Sequence, residues 1–326
     1  MVAFSPISGD NNGDANEKTV LTVICPAQAP ELKPQLLTTT PTTAVSSSSV
    51  PSILALLAQP VGGNPTQYII EKAFAHHDLD WRYLTFEVGA DALGDAVRGL
   101  KALAFYGGHF GDPHKHSAIG LLDRTTETAA AVGAVNLFFR EGDLLVGDNV
   151  EGKGVLRAIG RLIDPVGKRF VLLGAGGLAR ATALELAATG AGEIAIVNRS
   201  ESRASELAGI LAAKHQVPVS TASWQGEYAV PIEADVLIHA TSIAQRNANE
   251  PIPLVFDSLR PELLVVDVST DPPHTRLLHE AASHGCKTVD GLSIFIEQIS
   301  LALKLWTGID PNRDVLRDAA EEYLEV

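Results

Sequence analysis

Positive charge is what this 326-residue chain is short of: 25 lysines and arginines stand against 39 aspartates and glutamates, a formal net charge of -14. A field of that sign repels phosphate backbones and anionic lipid, so neither nucleic acid nor a membrane surface is expected as a partner. Any anionic ligand must be held locally, by a few arginines or a helix N-terminus. Cysteine is nearly absent. Cys25 and Cys286 are too few for a disulfide framework and are spaced for no metal motif, which fits a reducing compartment. No apolar run reaches the roughly 18 residues that span a bilayer. The opening MVAFSPISGDNNGD has neither the basic start nor the apolar core of a signal peptide. These absences point to a cytoplasmic protein and leave both a monomer and a homodimer open.

With 46% hydrophobic and 20% charged residues, the chain has the make-up of a globular protein of one large or two moderate domains. Residues 1–50 hold one short β-like run, VLTVIC, and then TTTPTTAVSSSSVPS, which has too little apolar surface to fold and reads as an appendage or linker. From Ile53 the pattern changes. ILALLAQPV reads as a buried strand, and GGNPTQYIIEKAFAHH as a helix capped by Asn64, with Pro65 in its first turn and Ile69, Ile70, Ala73 and Phe74 on one face. WRYLTFEV, DALGDAVRGLKAL and a strand at AFY (104–106) continue the alternation. A loop then follows that contains HFGDPHKH, residues 109–116.

A second series starts at RFVLLGAGG and passes through LARATALELAAT to EIAIVNRS. It continues with strands in ADVLIHATS, LLVVDVS and KTVDG. Last comes the amphipathic helix SIFIEQISLALKLWTG, with a stripe of Ile294, Phe295, Ile299, Ala302, Leu305 and Trp306. Gln298 sits within that stripe and needs a partner. The expected fold is α/β with mostly parallel strands.

Residues 174–179, GAGGLA, match the dinucleotide pattern G-x-G-x-x-G/A between a strand and a helix, where that pattern has mechanical meaning. Gly174 makes the turn, Gly176 and Gly177 admit a pyrophosphate, and Ala179 allows close helix packing. After the next strand an NAD site carries an acidic residue, but this chain has NRSESR. Arg199 and Arg203, with Asn198 and Ser200 as neutral donors, suit a 2'-phosphate, so NADP(H) is the expected cofactor, although Glu201 dilutes the positive field.

Several segments together resemble the shikimate dehydrogenases: GAVNLFFREGDLLVGDNVEGKG, GAGGLARA, NRSESRA, HATS, DVSTDPPHTRLL and GLSIFIEQ, in that family's order. The resemblance covers about residues 53–310. It implies a discontinuous α/β substrate domain, residues 51–152 completed by 291–326, joined to a Rossmann-type NADP-binding domain, residues 153–290. It also implies NADP-dependent hydride transfer on a small hydroxylated cyclic acid such as shikimate, within aromatic amino acid biosynthesis. By resemblance Lys115 matches the catalytic lysine of Pro-His-Lys, and Glu151 stands where the family carries its catalytic aspartate. Asn136 and Gln298 match substrate-binding residues, and Asn64 and Thr66 replace a carboxylate-binding serine pair. Thr241, Ser242 and Gly291 fall on the cofactor side. His109, Phe110 and Gly111 replace Asn-Val-Thr, Thr270 replaces a tyrosine, and His239 replaces an asparagine.

The chemistry needs a group that moves a proton at neutral pH; a lysine does so when its site lowers its pKa, and its cation also stabilises a developing alkoxide. Each residue also has a plainer role. Lys115 suits a surface, Glu151 the first turn of a helix beginning near Asn149, and Asn64 and Thr66 a helix start. Asn136 could pin a turn, and Thr241 and Ser242 could cap a strand end. No metal is expected: zinc needs three or four converging ligands, and His109, His114 and His116 are only neighbours in sequence. A non-catalytic NADP(H)-binding regulator on the same fold is the alternative.

Overall fold

The computed structural model describes residues 51–241, 252–270 and 272–326, so the N-terminal segment 1–50 and Ser242 lie outside the described residues. Among the described residues, two six-stranded sheets organise the chain. The first contains β1 (Ser52–Ala58), β2 (Trp81–Glu87), β3 (Gly107–Phe110), β4 (Arg124–Thr125), β5 (Leu137–Glu141) and β6 (Leu144–Asp148), in the order β2-β1-β3-β5-β6-β4. Its pairs β1/β2, β1/β3 and β4/β6 are parallel, whereas β5 runs antiparallel to both β3 and β6. Leu54 to Ala58 are all buried, because β1 lies between two parallel neighbours and is covered on both faces.

Helices α1 (Thr66–His76), α2 (Leu93–Ala102), α3 (Glu127–Val132) and α4 (Glu151–Gly160) accompany this sheet. The stripe on α1 is as expected: Ile69 and Ile70 are fully buried, each removal from water contributing about 2 kcal/mol. Pro65 sits one residue earlier than expected, at the cap position and not in the first turn. Asn64 still supplies the cap, its Oδ1 accepting from the Thr66 N–H at 3.0 Å.

The expected strand at AFY is displaced. Ala104 turns with φ +54° after α2, so pairing begins only at Gly107 and places His109 and Phe110 on β3, not in a loop. The hairpin of β5 and β6 was not foreseen as such.

The second sheet holds β7 (Arg169–Leu173), β8 (Glu193–Asn198), β9 (Val219–Ser223), β10 (Val236–His239), β11 (Leu264–Asp267) and β12 (Lys287–Val289). Its order, β12-β11-β10-β7-β8-β9, with every pair parallel, is the doubly wound dinucleotide-binding arrangement. The order reverses between β7 and β10, the switch point outside whose strand ends sheets of this kind bind their ligands. Helices α5 (Gly177–Thr189), α6 (Glu201–Lys214) and α7 (Arg276–Ser283) connect these strands.

The chain then returns to the first sheet. In α8 (Gly291–Thr307) and α9 (Arg313–Leu324), Leu292, Ile296, Ile299, Trp306 and Leu316 share one core with Leu54, Ile69 and Tyr83. Leu305, expected in that stripe, is instead 43% exposed, since Leu303 and Trp306 take the inward positions.

Candidate active site

Strand ends from the first sheet and one face of α8 line an open cavity of about 130 Å³. Asn64 and Thr66 reach it from the start of α1, Lys115 from the loop after β3, and Asn136 from just before β5. Glu151 enters from the first turn of α4, and Gln298 from α8. The six residues expected to touch substrate or carry the chemistry are thus brought together from five parts of the chain. Gln298 lining a cavity also accounts for its place on an apolar helix face.

The loop that presents Lys115 is braced on both sides. Gly111 N–H donates to Leu57 O at 2.9 Å, Asp112 O accepts from Gln59 N–H at 2.9 Å, and Val135 N–H donates to Lys115 O at 2.8 Å. His114, buried, places Nε2 2.7 Å from Val88 O, and His116 places Nδ1 2.7 Å from Gly133 O. His109, two strand residues before Gly111, bonds to the Tyr83 hydroxyl at 2.7 Å through Nδ1. The three histidines face three different partners. Among the described residues no group of three or more His, Cys, Asp or Glu is placed to hold a metal ion.

Lys115 Nζ donates to Glu151 Oε1 at 2.8 Å and lies 3.7 Å from Asp112 Oδ2. Burial pulls the ammonium's pKa down, but the Glu151 carboxylate, followed by that of Asp112, more than offsets this and leaves it above the ordinary lysine value. The expectation of a lowered lysine pKa is therefore corrected: Lys115 stands ready as a cation because two carboxylates face it. Glu151 is held by the helix itself, its N–H donating to Asn149 Oδ1 at 3.1 Å. Asn136 pins the same corner, its Oδ1 accepting from Val150 N–H at 2.9 Å.

On the other sheet, Gly174 adopts φ +121°, and a Cβ there would meet Ala240 O at 2.6 Å. Only glycine fits that turn. Gly176 and Gly177 face open space at the start of α5, and Ala179, in the first turn of that helix, is fully buried. This is the geometry a pyrophosphate needs at a helix N-terminus. Beyond β8, Asn198 Nδ2 donates to Ser200 O at 2.9 Å and fixes the turn, while Ser200 Oγ lies 3.0 Å from Ser202 Oγ. Arg199 and Arg203 form no ion pair among the described residues, so both guanidinium groups remain available to a phosphate. Gly291 is a packing residue in this structure, since a Cβ there would meet Ser269 O at 2.0 Å.

Sequence reasoning missed a buried network at the ends of β10 and β11. His239 Nε2 lies 2.6 Å from Thr241 Oγ1, and its Nδ1 is 3.2 Å from Asp267 Oδ2. Asp267 in turn accepts from Thr275 Oγ1 at 2.8 Å and from Ser269 N–H at 3.1 Å. The signal was the HATS and DVST segments, whose polar residues stand at the ends of fully apolar strands. Tyr83 was also missed.

Two family models match the chain. A model for the shikimate dehydrogenase substrate binding domain matches residues 56–138, and one for shikimate / quinate 5-dehydrogenase matches residues 160–293. A shikimate dehydrogenase (NADP(+)) of Alkaliphilus metalliredigens is 38% identical over 265 residues, covering 79% of this chain and 92% of its own.

The chain belongs to the shikimate dehydrogenase family.

Among solved structures, this family member is similar to the 5-ketofructose reductase of Gluconobacter sp. strain CHM43, with TM-score 0.82 and 37% identity, covering 84% of this chain and 99% of that one. It is also similar to a shikimate dehydrogenase in complex with NADP+, with TM-score 0.77 and 31% identity, covering 85% and 97%. In that setting the two sheets correspond to a substrate-side α/β layer and a Rossmann-like NADP-binding layer.

Proposed function

We propose that Lys115 and Glu151 manage the proton while hydride moves between NADP(H) and a ring or chain carbon of a hydroxylated small molecule. The enzyme is an NADP-dependent oxidoreductase of the shikimate dehydrogenase type. The observation that carries the residue assignment is the 2.8 Å ion pair between Lys115 and Glu151 inside a cavity otherwise lined by amides, a hydroxyl, an imidazole and apolar groups. In this reading residues 51–152 with 291–326 hold the substrate and residues 153–290 hold the cofactor, and the protein works in the cytoplasm.

Bound NADPH supplies the hydride. Lys115, held protonated by Glu151 and Asp112, hydrogen-bonds the substrate's carbonyl oxygen and donates a proton as negative charge develops there. Glu151 keeps the ammonium in place and accepts a second hydrogen bond from the substrate. Oxidation runs the same steps backwards, with Lys115 first losing its proton. Asn64, Thr66, Asn136 and Gln298 orient the remaining oxygens of the substrate. Gly176 and Gly177 leave room for the pyrophosphate, and Arg199 and Arg203 hold the 2'-phosphate.

The relatives' names offer two kinds of substrate, shikimate and 5-ketofructose. The test follows NADPH absorbance at 340 nm with 3-dehydroshikimate and with 5-ketofructose, in the wild type and in Lys115→Met. Turnover of one ketone, reduced about 1000-fold by the substitution, is expected. Undiminished turnover in Lys115→Met would remove the lysine from the mechanism.

A further inference from the structure

Among the described residues the lining of the cavity contains two charges, Lys115 and Glu151, and they are spent on each other. No arginine is among those lining residues. Asp112, 3.7 Å from the same ammonium, adds to the negative side. A carboxylate entering this space would exchange its hydration for neutral donors alone, whereas a hydroxyl loses little by the same exchange.

His109 adds the second observation. It is only 9% exposed, lines the cavity, and sits opposite Leu56 on β3, while Tyr83 on β2 sits opposite Leu54. Both side chains therefore project from the same face of the sheet across β1. The Tyr83 hydroxyl has His109 Nδ1 as its one hydrogen-bond partner among the described residues, at 2.7 Å. A buried phenol in that position donates its proton. Nδ1 is then the acceptor, and Nε2 must carry the imidazole hydrogen. Nε2 itself has no hydrogen-bond partner among the described residues. Trp306, edge-on with its ring centroid 5.0 Å away, holds the imidazole plane in place. Burial, with the Lys115 cation adding to it, drives the His109 pKa down to about 3, so the ring stays neutral.

We propose that Tyr83 and His109 form an uncharged donor relay that reads a hydroxyl oxygen of the substrate beside Lys115, and that the substrate is an uncharged polyhydroxylated ketone. His109 is the substrate-binding residue, and Tyr83 is a positioning residue acting through it. Asn64 and Asn136 fit the same ligand, because each has its oxygen occupied by a backbone N–H and keeps its amide hydrogens for a ligand oxygen. Neutral donors serve hydroxyls without a counter-charge.

This inference rests on the oxidoreductase reading, so its test separates the two. The full chain, loaded with NADP+, is titrated calorimetrically with shikimate and with its primary amide, which has nearly the same size and shape but no charge. The expected result is at least about tenfold tighter binding of the amide. Equal or tighter binding of shikimate overturns the proposal, whether or not any ketone turns over. The absence of NADPH oxidation with every ketone would instead defeat the oxidoreductase reading.

Kinetics of the preferred neutral ketone then place the relay. His109→Leu should raise KM about 20-fold with NADPH affinity unchanged, and His109→Gln, which restores an N–H, should recover most of the loss. Tyr83→Phe should raise KM several-fold and leave kcat nearly intact. Unchanged KM in folded His109→Leu, or no recovery in His109→Gln, would refute the relay.

Discussion

The two sheets solve different problems with different materials. The cofactor side is uniform: six parallel strands, a glycine turn and a helix N-terminus, with recognition built chiefly from backbone. The substrate side is mixed in strand direction, and its cavity is made from side chains delivered by six separate segments. Backbone recognition tolerates change at most neighbouring side chains and fails abruptly at a glycine. Side-chain recognition fails by degrees, and a few substitutions re-aim it. In the reading proposed above, Asn64, Thr66 and His109 would be such a re-aiming around a lysine and carboxylate that stay in place.

The largest effect should come from attacking the backbone side. Gly174→Val forces a β-branched residue onto φ +121° and into Ala240 O, and NADPH affinity measured by fluorescence should fall more than about 100-fold. Retained affinity would mean that the turn is not what holds the cofactor. On the other side, Glu151→Gln should lower kcat about 100-fold. It should also shift the pH profile: with Glu151's support gone, Lys115 loses its proton at lower pH, so the alkaline limb of the reduction rate moves down. In the wild type, reduction should stay level through neutral pH while oxidation keeps rising into the alkaline range.

Replacing Arg199 and Arg203 together by alanine should cut the preference for NADPH over NADH about 30-fold, leaving NADH kinetics nearly unchanged. Loss of both activities in equal measure would show a structural role instead.

The smallest effect concerns stability. His109 is held near pKa 3 when folded and returns to about 6.5 when unfolded. Above pH 6.5 both states are neutral and the residue contributes nothing. Below it the unfolded chain alone takes up the proton, so His109 costs stability, by about 1 kcal/mol per pH unit down to pH 3. Denaturant titrations should show His109→Gln losing less stability than wild type between pH 6 and 4.

The same contrast decides what could be read from the chain before folding. The turn at Gly174 was legible because a steric demand writes itself locally, as glycines between a strand and a helix. Strand β3 was not, because Gly107 and Gly108 resemble a loop. Yet a Cβ on Gly108 would lie 1.9 Å from Ala55 O, so the glycine is there for close strand pairing. Lys115 and Glu151 were legible by motif and not by physics, since 36 residues separate them and only the fold makes them a pair. Tyr83 had no local signal at all. Its meaning comes from register: facing Leu54, it shares a sheet face with the residue that faces Leu56.

Helix α8 begins at Gly291, pressed against Ser269 on the cofactor sheet, and by Trp306 it is tied to the substrate sheet, where Nε1 donates to Phe138 O at 3.0 Å. Gln298 lies between these anchors, seven residues and about 10 Å along the axis from Gly291. The helix is thus a ruler graduated in residues. Inserting or deleting a single residue between Gly291 and Gln298 would rotate the amide by about 100° away from the cavity, however well the rest of the protein folded.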